Sequence, residues 1–200
     1  MFNDKHGLTA AVLRGGKTQT RRDATKLIEA YWNGRKLGDY PTLSLGEYVR
    51  QHATYNVGDV VAVAQCYRDI YPNADFEMID TQFMTEAAGW TNKMFVKAEL
   101  MPHRIKITRV RIQLLQDISD EDCMKEGIYI RAALHSLHVN GYAYTFDNWS
   151  DRGIAMGSDT AKGAFASLID KISGKGTWER NPYVLAYDFE LVTDCNRLIE

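Results

Sequence analysis

Cysteine is scarce in this 200-residue chain, and none of its three cysteines forms a CxxC pair. Cys66, Cys123 and Cys195 are far apart and odd in number, so we expect neither a disulfide framework nor a zinc knuckle. Hydrophobic runs are also short: the longest aliphatic run covers residues 60–64, whereas a membrane-spanning helix needs about 20 residues. Residues 1–6 lack the pattern of a signal peptide. The sequence therefore predicts a protein of the reducing cytoplasm without membrane association.

Metal and cofactor motifs are missing as well. His135 and His138 are three residues apart, but no cluster of cysteines or carboxylates accompanies them, and zinc sites need several such ligands at characteristic spacings. We therefore expect no metal and no organic cofactor. No heptad pattern indicates a coiled-coil partner, so the oligomeric state stays open.

The chain has no excess of one charge, since 24 basic and 26 acidic side chains give a net charge of −2. This balance excludes a uniformly basic nucleic-acid coat protein but allows a local basic site. Two local clusters break the balance. Residues 14–26 contain Arg14, Lys17, Arg21, Arg22 and Lys26. Residues 103–111 contain His103, Arg104, Lys106, Arg109 and Arg111 without an acid. Each cluster is either a phosphate-binding surface or an ordinary solvated face.

Hydrophobic residues make up 45% of the chain, and no repeat or low-complexity segment divides it, which is typical of one folded domain over residues 1–200. Helical spacing and capping residues predict helices over residues 8–14, 24–36, 119–126 and 164–172. Extended or strand-like segments are predicted over residues 17–22, 60–66, 104–112 and 183–192, the second of them as a buried strand. Asn140-Gly141 indicates a peripheral hairpin between residues 137–139 and 142–144.

The alternation of apolar residues slips within the strand predicted over residues 104–112. Ile105 and Ile107 share one face, whereas Val110 and Ile112 share the other. A β-bulge near Thr108 would correct this phase, and bulges are how small barrels bend their strands. Short strands separated by single helices therefore predict an α+β protein, built as a small mixed or antiparallel β-barrel with flanking helices.

Lys17 and Thr20 are the first candidates for chemistry. A tight turn after Gly15-Gly16 would bring the two side chains together, and the like charges of Arg21 and Arg22 would favour the neutral form of the lysine. A neutral amine beside a hydroxyl activates that hydroxyl as a nucleophile. The alternative is a turn that binds phosphate and has no catalytic role.

Glu126 is a third candidate because its position breaks a local rule. Ser119 is expected to cap the helix over residues 119–126, and Gly127 to end it. Glu126 then lies in the last turn, where the helix dipole disfavours an anion. Such local conflicts are mild indicators of a functional site, although an exposed glutamate tolerated by solvent is the ordinary alternative.

Four sequence blocks together resemble the ASCH domain, and more narrowly the ASCH-like proteins of phages, prophages and mobile elements. The blocks are residues 16–22 (GKTQTRR), 57–60 (VGDV), 107–127 (ITRVRIQLLQDISDEDCMKEG) and 178–190, which begins WERNP. They cover about half of the chain and span both of its ends. The combination of the early G-x-K-T-x-T-x-R type pattern with the late block is more specific than either block alone.

The resemblance implies a PUA-like β-barrel with helices beside a cleft that takes RNA or a modified nucleoside. Small bacterial ASCH proteins include an amidohydrolase that removes the acetyl group from N4-acetylcytidine. Its proposed catalytic lysine and threonine lie in a segment that matches Lys17 and Thr20, with Arg22 and Asp23 also agreeing. Its catalytic glutamate ends a helix that aligns so that Glu126 takes its place.

The chain also departs from that minimal enzyme. It is about twice as long, and the segments near residues 67–96 and 129–160 have no counterpart in it. Arg21 replaces an apolar residue of the motif, which changes the electrostatics of the pocket. We therefore expect an amidohydrolase using Lys17, Thr20 and Glu126. Substrate or RNA contacts are expected from Arg21, Arg22, Arg104 and Arg109.

Three alternatives accompany this expectation. The first is a non-catalytic module that binds RNA or a nucleotide, and the second is a ribonuclease-like ASCH protein. The third is an inactive mobile-element protein whose cleft binds a host protein.

Overall fold

The computed structural model describes residues 2, 4–39, 42–132, 142–151 and 154–193. The α-helices are α1 (Leu8–Leu13), α2 (Thr25–Leu37), α3 (Leu45–His52), α4 (Tyr67–Ile70), α5 (Asp120–Lys125), α6 (Ala161–Ser173) and α7 (Thr177–Arg180). The strands are β1 (Gln19–Asp23), β2 (Val60–Ala62), β3 (Met78–Ile79), β4 (Gln82–Phe83), β5 (His103–Leu114), β6 (Tyr129–Ala132), β7 (Tyr142–Thr145), β8 (Ser150–Asp151), β9 (Ile154–Ala155) and β10 (Tyr183–Thr193). Short 3₁₀ turns occupy Asp4–His6, Met84–Glu86, Ala88–Trp90, Lys93–Phe95, Ala98–Leu100 and Leu115–Asp117.

The main sheet is an antiparallel half-barrel with the strand order β1-β10-β5-β2. The two longest strands, β10 and β5, pair along their full length, and β1 joins the outer side of β10. Helices flank this sheet, so the predicted α+β class with an antiparallel sheet and flanking helices is confirmed. β1 and β2 are its edge strands.

The β-bulge expected in β5 is present. Arg109 lies opposite Asp188 and Ile107 lies opposite Phe189, so Thr108 is the extra residue of the bulged strand. The shift keeps Ile107 in the core before the bulge and lets Val110 pack against the core after it. The change of phase in the apolar alternation therefore correctly predicted the β-bulge.

α6 covers the concave side of the main core. Ala164, Phe165, Leu168 and Ile169 are buried and Ile172 is partly buried, which is the inward face predicted from the sequence. Strand β10 is more deeply buried than the half-buried strand that its alternation predicted. Its residues 184–187 are all buried, so both faces of the strand are covered there, since successive side chains point to opposite faces.

The predicted ends of two short helices near the cavity are also confirmed. α1 is followed by Gly15 in the left-handed conformation, with φ of 73°. Ser119 caps α5, and its Oγ accepts a hydrogen bond from the amide of Asp122. Gly127 follows α5 with φ of 102°, a conformation that glycine adopts without strain.

The prediction of a buried strand over residues 60–66 is wrong. Only Val60–Ala62 forms a strand, at the sheet edge, and Val60 is 52% exposed. The pairing partner β5 begins at His103, directly after Pro102, which has no amide hydrogen to continue the ladder. The last bond beyond the strand runs from the amide of Val63 to the carbonyl of His103.

The segment over residues 67–96, unassigned from the sequence, forms α4, the β3–β4 hairpin and several 3₁₀ turns. Its buried side chains make a small second core around Tyr67, Ile79 and Met84. The predicted turn at Asn140-Gly141 lies outside the described residues, as do His135 and His138. Strand β7 pairs with β6. Among the described helices, none has the length and apolar character required to traverse a bilayer.

Candidate functional site

A cavity of about 290 Å³ lies beside the edge strand β1, between α6, the N-terminal segment and the end of α5. Its apolar walls are formed by Phe2, Leu8, Phe165, Leu168, Ile169 and Ile172. Its polar lining consists of Lys17, Thr20, Arg21, Arg22, Glu126 and Ser173. The structure therefore brings together five of the seven side chains singled out in the sequence, from segments more than a hundred residues apart.

Lys17 reaches the cavity through the turn that follows α1. Its amide donates to the carbonyl of Ala11, which folds the chain back over the helix. Its side chain then passes Gly127, where a Cβ atom would lie 3.7 Å from Lys17 Cδ and 3.4 Å from Leu8 Cδ2. These are ordinary van der Waals distances, so glycine at position 127 is favoured by its left-handed φ of 102° and not by the path of the lysine.

Lys17 and Glu126 form a buried ion pair. Lys17 Nζ donates to Glu126 Oε2 at 2.6 Å and to the Glu126 carbonyl at 2.8 Å. Burial lowers the pKa of Lys17, Glu126 opposes that shift, and Arg22 and Arg21 add to it. The sequence predicted the direction from the two arginines alone, but removal from water is the larger cause.

Arg21 occupies a different setting from the phosphate contact expected of it. Its side chain is 1% exposed, and its Nη1 donates to Glu126 Oε1 at 2.8 Å and to the side-chain carbonyl of Gln19. Its Nη2 lies 3.3 Å from Asp122 Oδ2. A buried guanidinium with these partners is not a surface contact for a nucleic-acid backbone, although it lines the cavity.

The helix dipole disfavours an anion at the position of Glu126, and nearby cations offset this cost. The residue is the C-cap of the helix, where the dipole costs an anion about 0.3–1 kcal/mol. Two cations bind the same carboxylate, one on each oxygen. Charge-assisted hydrogen bonds of this kind are each stronger than that dipole cost.

The ion pair continues into a network that the sequence did not reveal. Arg111 Nη2 lies 3.1 Å from Asp122 Oδ2 and 3.1 Å from Asp188 Oδ1, and Gln19 donates to Asp188. Burial alone would raise the pKa of Asp122, but Arg111, Gln19 and Arg21 hold it below its ordinary value. One signal existed in the sequence, since Asp188 interrupts the apolar core of the last strand.

Thr20 and Arg22 lie on the face of β1 opposite Gln19 and Arg21. Because β1 is an edge strand, side chains from both of its faces reach the same cavity. Thr20 is half-buried, and no side-chain hydrogen bond joins it to another described residue. Thr20, Arg22 and Phe2 also line an adjoining cavity of about 30 Å³.

Arg104 and Arg109 do not line the cavity and lie on β5 instead. In the sheet, Arg109 lies opposite Asp188, and the neighbouring Lys106 lies opposite Glu190. Cross-strand pairs of opposite charge are favourable. Within the basic cluster over residues 103–111, Lys106 and Arg109 therefore lie opposite acids on β10, whereas Arg104 lies opposite Val192.

The depressed pKa of Lys17 predicts a pH-dependent stability. In the unfolded chain Lys17 titrates near the ordinary value of 10.5. Between the lower folded-state pKa and 10.5, the unfolded chain binds more protons than the folded one. The free energy of unfolding of the wild type should therefore rise with pH in this window, relative to Lys17→Met. Denaturant titrations of both proteins from about pH 7 to about pH 9.5 measure this difference, and a constant gap between them would contradict it.

The site thus combines a buried amine, a carboxylate and a hydroxyl on one small cavity, which are the groups required for general-base and nucleophilic chemistry. Within the part of the chain that the structure describes, no group of three or more His, Cys, Asp or Glu side chains could hold a metal ion. No protein-family model, curated protein or solved structure matches the chain.

Proposed function

We propose that the chain is an ASCH-like amidohydrolase that removes the acyl group from an N4-acylated cytosine base or nucleoside. One observation carries the proposal: Lys17 Nζ lies 2.6 Å from Glu126 Oε2 in a cavity that Thr20 also lines. These three residues are the ones matched by the resemblance to the ASCH amidohydrolase. The half-barrel and its flanking helices are compatible with a PUA-like fold, to which the segments near residues 67–96 and 129–160 would be additions.

In the proposed reaction, Thr20 Oγ1 attacks the amide carbonyl of the acylated base while its proton passes to the neutral amine of Lys17. The tetrahedral intermediate collapses, the C–N bond breaks, and the leaving amino group takes the proton that Lys17 received from Thr20, directly or relayed through Glu126. Water then hydrolyses the ester on Thr20, with the same groups accepting its proton. The products are the free base or nucleoside and a carboxylate, and no redox partner is needed.

Two features of the site support this chemistry. Because burial lowers the pKa of Lys17, the lysine paired with Glu126 gives up its proton at a lower pH than an ordinary lysine, and the neutral amine needed as the base forms more readily. Arg22 lines the cavity and is exposed, and in the proposal its guanidinium binds the developing oxyanion.

The size of the cavity limits the substrate. About 290 Å³ is at the lower end of small-molecule sites, which suits a base or a nucleoside. An RNA would therefore present a single base extruded from its stack. The proposed ligand is a modified nucleoside, free or within RNA.

A chromatographic assay on N4-acetylcytidine tests the proposal with three proteins. The wild type should release cytidine, and Thr20→Val, which removes the hydroxyl and nearly keeps the side-chain shape, should lose at least about a hundredfold in rate. Thr18→Val is the matched control, because Thr18 belongs to the same segment and its backbone bonds to Lys125 and Phe189 are retained.

Equal rates for Thr20→Val and the wild type would overturn the role of Thr20. A folded wild type without turnover on N4-acetylcytidine would overturn the amidohydrolase. Its affinity for RNA would then be measured against salt, since a binding module contacting phosphates weakens steeply as salt rises.

A further inference from the structure

Phe2 forms one wall of the cavity and lies beside Lys17, the candidate general base. The residue is 9% exposed, and it lines both the main cavity and the small adjoining one. Lys17 Nζ lies 5.9 Å from the centre of its ring, and the ring packs against Phe189 at 5.7 Å. The position of Phe2 therefore sets both the shape of the cavity and the access of solvent to Lys17.

One lysine from a distant segment bonds to the N-terminal segment that carries Phe2, to which Asn148 also donates a hydrogen bond at the carbonyl of Lys5. Lys93 Nζ donates to the carbonyl of Phe2 and to Thr9 Oγ1 at 3.1 Å, and it lies 2.7 Å from Asp4 Oδ1. An ammonium group has three N–H donors, and these three acceptors match them. The side chain of Lys93 is 12% exposed and that of Asp4 is 56% exposed, so the bonds to Phe2 and Thr9 are the more shielded ones.

We infer that Lys93 is a positioning residue, which acts through Phe2 by holding this aromatic wall over Lys17. The inference gives a role to the segment over residues 67–96, which the minimal ASCH enzyme lacks. It rests on the proposed function only in taking the cavity as the substrate site. The bound nucleobase would then pack against the ring of Phe2, and Lys93, which lies outside the half-barrel, would fix the position of that ring.

The charge and the number of donors explain why a lysine suits this place. Hydrogen bonds to a charged group are stronger than those between neutral groups, and Lys93 makes its bonds to three points within one short segment. Without the ammonium, the carbonyl of Phe2 and the carboxylate of Asp4 have no shared donor. The segment before α1 would then separate more often from the core.

The test measures the reactivity of Lys17, which needs no turnover. Formaldehyde and cyanoborohydride methylate accessible amines, and mass spectrometry of the Lys17 peptide gives the rate at that one position. In the wild type Lys17 is 2% exposed and should react slowly. In Lys93→Met, methylation of Lys17 should be faster by at least about tenfold, from the loss of the shielded bonds. Lys93→Arg keeps the charge and several donors, and should restore most of the protection.

Two further variants separate this role from a general effect on stability. Lys97→Met is the matched control, because Lys97 follows Lys93 closely in the chain but pairs with Asp80 at the surface. It should leave the rate at Lys17 unchanged. Phe2→Ala removes the wall itself and should speed methylation alone, so that adding Lys93→Met to it has little further effect.

An unchanged rate at Lys17 in Lys93→Met would overturn the inference, as would full additivity with Phe2→Ala. Neither result depends on catalysis. A protein that fails to deacetylate N4-acetylcytidine but shows the predicted protection refutes the proposed function and leaves the role of Lys93 standing.

Discussion

Lys17→Met is expected to lower the rate of deacetylation of N4-acetylcytidine by about a thousandfold, within the range of 10²–10⁴ that a positioned general base contributes. Methionine fills a similar volume but cannot accept a proton. Its loss of charge leaves Glu126 paired with Arg21 Nη1 at 2.8 Å. The carboxylate therefore keeps one cation, and we expect the fold to persist.

The measurement compares initial rates of wild type, Lys17→Met and Lys26→Met on the same substrate, with circular dichroism to establish folding. Lys26 is an exposed lysine on α2 and serves as the control for loss of one positive charge. A folded Lys17→Met protein that keeps more than about a tenth of the wild-type rate would exclude Lys17 as the base.

Glu126→Ala is expected to reduce the free energy of unfolding by about 3–5 kcal/mol, the cost of removing one partner from a buried ion pair. The loss should be large because two cations share this carboxylate, and the variant leaves both Lys17 and Arg21 without it. Lys17→Met should cost less, because it leaves one cation on the remaining anion. The two variants are thus unequal in stability although each removes one half of the same pair.

Urea denaturation at neutral pH measures both losses. Glu29→Ala is the control, since Glu29 is exposed on α2 and its removal should change the stability by no more than about 0.5 kcal/mol. A loss below about 1 kcal/mol for Glu126→Ala would be the value of a solvent-exposed pair and would contradict the buried geometry.

Local patterns in the sequence were sufficient for much of the fold. The cap at Ser119, the glycines after α1 and α5 and the phase slip near Thr108 each depend on neighbours a few residues away, and each is present in the structure. The apolar run over residues 60–66 predicted too long a strand, because the length of β2 is set by the residue at which its partner β5 begins. That limit depends on Pro102, which lies some forty residues further along the chain.

In the candidate site, too, local motifs identified some residues, whereas contacts between distant segments could not be predicted. Lys17, Thr20 and Glu126 could be singled out from motifs, and the structure places them on one cavity. The partners that fix them could not be found in this way. Arg21 was expected to contact the substrate or RNA, and its pairing with Asp122 and Glu126, more than a hundred residues along the chain, follows no local pattern. Lys93 and Phe2 form a contact across 91 positions with no pattern in either segment.

The pairing of β1 with β10 has a consequence for the order of assembly. Gln19 lies opposite Asp188, 169 positions later in the chain, so the edge strand that carries Thr20 has no strand to pair with until β10 exists. The residues of β10 must therefore leave the ribosome before this cavity can form. During synthesis, Lys17 and Arg21 would spend that interval in water as ordinary charged side chains. The enzyme we propose would thus acquire its base and its nucleophile together, when β10 pairs with β1.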